Sequence, residues 1–198
     1  MRITANRLTV FRIVLACLVP VFLLANTSFL FRFLAFWTFL IAGLTDIWDG
    51  IIARKEGQVT SLGKILDPIA DKMLNLGTMI SFAVLQLYSF WFLVLIIVRE
   101  VLVTGTRFYL IARGRILPAE SAGKAKTLLQ IVSIFFTYIY LLERDYARVV
   151  FGFWTDTLSS IFAFNSYSMI LAANLVTVYS GITFFINMKR QLNEKSVS

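Results

Sequence analysis

Histidine is absent from this chain of 198 residues. Its absence excludes imidazole acid–base catalysis and imidazole-ligated metal sites, and leaves hard, oxygen-ligated cations as the open class of metal. Cysteine occurs once, as Cys17 in an apolar stretch, so no intrachain disulfide can form. Charge is also scarce, at 15% of residues where soluble domains carry about 25%. There is no internal repeat, low-complexity tract or linker, so residues 1–198 read as one domain. What is plentiful is apolar: 59% of residues, with a mean hydropathy of +0.79. That balance excludes a disordered tail, a fibrous protein and an ordinary soluble enzyme, and it leaves an integral membrane protein. The charges present lean one way, with 19 Lys+Arg against 11 Asp+Glu and a net charge of +8. Embedded in apolar runs, that excess suits anionic membrane lipids or phosphate-bearing substrates, not nucleic acid.

Ile13–Phe31, Met73–Val98 and Thr157–Met188 contain no charged residue, and Phe33–Thr45 and Thr127–Leu142 are shorter runs of the same kind. A membrane-spanning helix needs about 20 mostly apolar residues. The pattern therefore predicts an all-α protein with six transmembrane helices, near 6–25, 30–53, 67–87, 90–112, 122–142 and 166–188. Turns are expected at Ala25–Ser28, Glu56–Gln58, Tyr88–Ser89, Arg113–Arg115 and Asn165–Ser166, and residues 143–165 read as an interfacial connection. The first 25 residues have the charge pattern of a signal peptide but no convincing cleavage site, so they read as a retained first span. With six spans, sixteen of the Lys and Arg residues fall on one side and only Arg32, Arg144 and Arg148 on the other. The positive-inside rule then puts both termini, and the functional charges, on the cytoplasmic side of the cell membrane.

Asp46, Asp49, Asp67 and Asp71 are the anomaly, four of the eleven acids at the junction of two apolar segments. Spacings of three and four place each pair on one helix face, and Gly50, Ala53 and Arg54 continue the face of Asp46. If the two helices are antiparallel, the pairs converge. Four carboxylates close together in a medium of low dielectric persist only when protonated or neutralised by a cation, here Mg²⁺ or Mn²⁺. The plainer reading is a solvated loop with Asp residues as helix caps, and Asp67-Pro68 has the form of a helix start.

The string Asp46-x2-Asp49-Gly50-x2-Ala53-Arg54-x8-Gly63-x3-Asp67-x3-Asp71 resembles, without departure, the signature of the CDP-alcohol phosphatidyltransferase family. The resemblance implies a six-helix membrane fold with a metal site at the cytoplasmic side, where an alcohol displaces CMP from a CDP-linked lipid. It implies two divalent cations, with Asp46, Asp49, Asp67 and Asp71 as ligands and Asp71 also as the base for the acceptor hydroxyl. Gly50 and Arg54 resemble the CDP-binding positions, where glycine permits close approach and a guanidinium suits a diphosphate. Homodimers are common in the family, although nothing in these residues derives one. No Ser or Cys triad is available, so direct displacement is expected over a covalent intermediate.

Three softer patterns bear on the acceptor: Asn6-x-Leu8-Thr9-x2-Arg12, Arg99-Glu100-x6-Arg107 and Gly123-Lys124-x-Lys126-Thr127-x2-Gln130. They resemble the branch of the family that joins CDP-diacylglycerol to glycerol 3-phosphate, and the resemblance assigns Asn6, Thr9 and Thr60 to the nucleotide site. Thr60 reads equally well as an ordinary loop hydroxyl. Arg99 and Arg107 fall inside the fourth predicted span, where an idle charge is expensive, and Glu100 is their natural ion-pair partner. Arg107, Lys124 and Lys126 suit a phosphate dianion, hence glycerol 3-phosphate. Inositol phosphate would satisfy the same charges; serine and phosphatidylglycerol are further alternatives, and a divalent-cation transporter is the reading from another class. Aromatic residues read as lipid-facing bulk, and Gly43, Gly77, Gly105 and Gly181 as sites of close helix packing.

Overall fold

The computed structural model describes residues 5–56, 61–113, 121–147 and 156–194. Within them every regular element is helical: α1 (Ala5–Ala25), α2 (Phe29–Glu56), α3 (Ser61–Val84), α4 (Phe90–Ala112), α5 (Ser121–Leu142) and α6 (Asp156–Glu194). A π-helical turn, Glu143–Ala147, continues α5. Among these residues, Gly123–Leu142 and Asp156–Arg190 are long and apolar enough to cross a membrane, and Thr9–Ala25 and Phe29–Thr45 are shorter apolar stretches.

The helices form two compact units, Met1–Leu87 with Tyr138–Ser159, and Tyr88–Thr137 with Ser160–Ser198. In the first, α1 packs against α2 and α3. Its buried residues are Thr9, Arg12, Ala16, Val19 and Leu23, alternating at three and four residues, which is the seam of a helix packed along its length. Val10, Phe11, Val14, Val21 and Leu24 point the other way and are about half exposed. A helix apolar on both its packed and its open face is at home in lipid. Gly77 of α3 meets α1 closely: a Cβ there would lie 3.3 Å from Pro20 Cγ. Tyr138 is fully buried among Phe36, Phe39 and Phe82, with ring centroids at 5.5, 5.7 and 4.8 Å.

The second unit buries polar side chains beside apolar ones and exposes many large apolar ones. Along α5, Lys126, Gln130, Ser133 and Thr137 form a buried stripe while Leu128, Ile131 and Phe135 are exposed. The buried hydroxyls turn back onto their own helices, as when Thr137 Oγ1 donates to Ser133 O at 2.7 Å. Between helices, Thr137 Oγ1 and Ser166 Oγ share a hydrogen bond of 3.0 Å. Buried polar side chains beneath an apolar exterior match association of helices in lipid, where small and polar side chains hold the contacts.

Three expectations need correction. The third helix starts at Ser61, not near 67, so Asp67 is an interior helical residue instead of a cap, and Pro68 is tolerated within the helix. The last helix starts at Asp156 and runs through Asn165-Ser166 without a turn, because neither residue breaks helix strongly and Ser166 is buried against Thr137. Residues 143–147 extend α5 helically, so the interfacial connection is shorter than 143–165. Of the four glycines, Gly77 and Gly181 meet a neighbouring helix, Gly181 through Arg99 Cγ at 3.4 Å. Gly43 and Gly105 have no atom of the described residues within 4 Å of an added Cβ, so close packing does not explain them. The turn at Tyr88-Ser89 is as expected: Ser89 caps α4, its Oγ accepting from Trp91 N at 3.4 Å. So is the break after Ala25, where Ser28 N donates to Asn26 Oδ1 at 2.9 Å. The turns expected after Glu56 and Arg113 fall on 57–60 and 114–120, outside the described residues.

Candidate active site

Asp46 and Asp49 lie on α2, and Asp67 and Asp71 on α3. Only residues 57–60 separate these helices along the chain. Asp46 is ten residues before the end of α2 and Asp71 ten residues after the start of α3, equal rises of about 15 Å. Asp49 and Asp67 are seven and six residues from the same ends, or about 10 Å. The two pairs therefore sit at equal distances along their helices from the 57–60 connection. All four donors are hard carboxylate oxygens, a set that fits Mg²⁺ or Mn²⁺.

The side chains of Asp46, Asp49, Asp67, Gly50, Arg54 and Asn6 lie outside those described, and so does the whole of Thr60. Asp71 is described. It is half-buried, and its Oδ1 accepts a hydrogen bond of 3.1 Å from Asn75 Nδ2, one turn further along α3. Asn75 is itself buried and escaped the sequence reading; an amide four residues after the last carboxylate was the available signal. Thr9 is buried on the inner stripe of α1, and Arg12 is its neighbour there.

The cations proposed for the acceptor stand in different surroundings. Arg107 is exposed on α4, with its guanidinium carbon 5.9 Å from the centre of the Phe184 ring. Lys124 is exposed near the start of α5. Lys126 is buried and donates to Glu100 Oε1, and Arg99 Nη1 donates to the same oxygen at 3.0 Å. Arg99 Nη2 also donates to Ser180 Oγ at 2.6 Å, so the group ties α4 to both α5 and α6. Glu100 is paired within the charged group as expected, with Arg99 and Lys126.

Apolar outer faces, buried polar side chains and two helices long and apolar enough to cross a membrane fit a membrane protein that carries four aspartates on α2 and α3. The chain belongs to the CDP-alcohol phosphatidyltransferase family, whose sequence model matches residues 2–179. The matched region includes α1 through most of α6 and all four aspartates. The chain is 34% identical over 193 residues to a Mycobacterium tuberculosis protein named probable phosphatidylglycerophosphate synthase, covering 95% of this chain and 82% of that one. It is 32% identical over 170 residues to the CDP-diacylglycerol–glycerol-3-phosphate 3-phosphatidyltransferase of Wigglesworthia glossinidia brevipalpis, covering 80% and 87%. A Rickettsia bellii protein of that same name is 39% identical over 131 residues, covering 65% and 71%.

Proposed function

We propose that this protein transfers the phosphatidyl group of CDP-diacylglycerol to glycerol 3-phosphate, giving phosphatidylglycerophosphate and CMP. The observation that carries the reading is the pair of aspartate couples at equal distances on either side of the α2–α3 connection, in a chain whose relatives are named for this reaction. The acceptor hydroxyl oxygen attacks the phosphatidyl phosphorus, and the bond from that phosphorus to the bridging oxygen of CMP breaks. Asp71 takes the hydroxyl proton, and the Asn75 amide on its Oδ1 holds the carboxyl group in one orientation. Asp46, Asp49 and Asp67, with Asp71, hold two divalent cations, Mg²⁺ or Mn²⁺. When bound, these supply neutralisation of the diphosphate and of the charge developing on CMP. Gly50 and Arg54, with Asn6, Thr9 and Thr60, take the cytidine diphosphate, while Arg107, Lys124 and Lys126 take the acceptor phosphate. The chain forms one domain of six membrane helices, with both termini and the aspartates at the cytoplasmic side.

The test is direct. Purified protein is incubated with CDP-diacylglycerol, Mg²⁺ or Mn²⁺, and in turn glycerol 3-phosphate, serine, inositol phosphate and phosphatidylglycerol, and CMP is measured. Metal-dependent CMP release with glycerol 3-phosphate ahead of the others is the expected result. A different preferred alcohol overturns the acceptor assignment; cation flux into proteoliposomes without CMP release overturns the transferase reading.

A further inference from the structure

Lys126 and Gln130 are one helical turn apart on α5, and both are buried, at 4% and 5% exposed. They are handled very differently. The Lys126 ammonium is bound to Glu100 Oε1, an oxygen it shares with Arg99. Arg99 is fixed in turn by Ser180 Oγ, and its Cγ is in van der Waals range of a Cβ built on Gly181. The ammonium is thus held by groups on three helices. Gln130 Nε2, by contrast, has no hydrogen-bond partner among the described residues, although it is shielded from solvent. A buried amide N–H without a partner is destabilising, and native proteins retain one mainly where something else binds it.

We propose that Lys126 and Gln130 form a single recognition face for a phosphomonoester, with Glu100 as the residue that positions the Lys126 ammonium. The proposal rests on the acceptor reading given above and adds Gln130 and Glu100 to it. Gln130 Nε2 donates to the acceptor. Glu100 keeps the ammonium from swinging along its four-carbon stem, so less freedom is lost when the anion arrives.

The experiment compares the wild type with Gln130→Met, Glu100→Gln and Glu100→Asp in a CMP-release assay, reading the KM for each substrate, inhibition by inorganic phosphate and thermal stability. Gln130→Met keeps the volume and removes the donor. Its KM for glycerol 3-phosphate should rise about tenfold, the loss of one hydrogen bond of about 1.4 kcal/mol, with the KM for CDP-diacylglycerol unchanged. Without substrate it should be at least as heat-stable as the wild type, since an unpaired buried group is gone. An unchanged KM with raised stability overturns the assignment of Gln130. Glu100→Gln should raise the KM for glycerol 3-phosphate and the inhibition constant of inorganic phosphate by a common factor, and Glu100→Asp should recover part of that loss. Parallel increases in both substrate KM values would make Glu100 structural, and a change confined to CDP-diacylglycerol would assign the face to the lipid diphosphate; either overturns the proposal. Should Glu100→Gln fail to fold, Glu100→Asp decides, because a wild-type KM in that variant rejects positioning. A wild type that prefers an acceptor other than glycerol 3-phosphate would instead refute the parent reading.

Discussion

A carboxylate that receives a proton in the transition state differs from one that only carries charge, and Asp71 is placed for the first role. Its Oδ1 is already engaged by Asn75, which fixes the group without neutralising it. Asp71→Asn removes the proton acceptor and keeps the shape, so kcat should fall by about 10²–10⁴-fold, more than any change in substrate affinity. Steady-state kinetics at saturating metal check this, and a near-normal kcat would disqualify Asp71 as the base. Asp46→Asn, Asp49→Asn and Asp67→Asn each remove one ligand charge. These variants should need more Mg²⁺ or Mn²⁺ for half-maximal rate, and chelation should abolish wild-type turnover. Arg107→Ala removes an exposed cation, and a charged hydrogen bond to phosphate is worth about 1.5–3 kcal/mol. A rise of roughly 10–100-fold in the KM for glycerol 3-phosphate, with little change for CDP-diacylglycerol, is the expected kinetic outcome.

At the scale of the helix, stability depends on contacts with little slack. Gly77 faces the rigid ring of Pro20, and a Cβ at 3.3 Å already asks one helix to shift. Gly77→Leu should therefore destabilise the protein strongly, whereas Gly43→Ala, with no described atom nearby, should be close to neutral. Tyr138→Ala should cost about 3–5 kcal/mol by emptying an aromatic cluster, and Tyr138→Phe about 1 kcal/mol or less through the lost hydroxyl contact. Unfolding followed in detergent micelles distinguishes these cases. The same elements show what a reader of the sequence can see. Five uncharged runs, one of them crossing the break between α3 and α4, mark the helical segments, and aspartate spacing marks the candidate site, because both depend on residues close together along the chain. Helix ends are harder. Asp67-Pro68 has the chemistry of a start, yet Ser61 begins the helix, since tertiary packing outweighs a local preference for the cap. The partner of Lys126 is harder still: Glu100 is 26 residues away, and α4 and α5 must pack before one carboxylate oxygen can meet both Arg99 and Lys126.

The proposed six-span topology sets most basic residues on one side, so the orientation can be tested without reference to chemistry. In a Cys17→Ser background, Ser28→Cys should react with a membrane-impermeant maleimide added to intact cells, and Ser198→Cys should react only after lysis. The opposite labelling pattern would invert the topology. The 39 residues of α6 rise about 58 Å, nearly twice the roughly 30 Å thickness of a bilayer's hydrocarbon layer. Its apolar stretch, Asp156–Arg190, is itself longer than any such layer requires. A helix with that much reserve can lean further in a thin bilayer or stand straighter in a thick one while keeping apolar surface in contact with acyl chains throughout. The hydrophobic mismatch that constrains a minimal span is thus relaxed here, and the last helix can ride through changes in acyl-chain length, the very property that varies among the lipids around it.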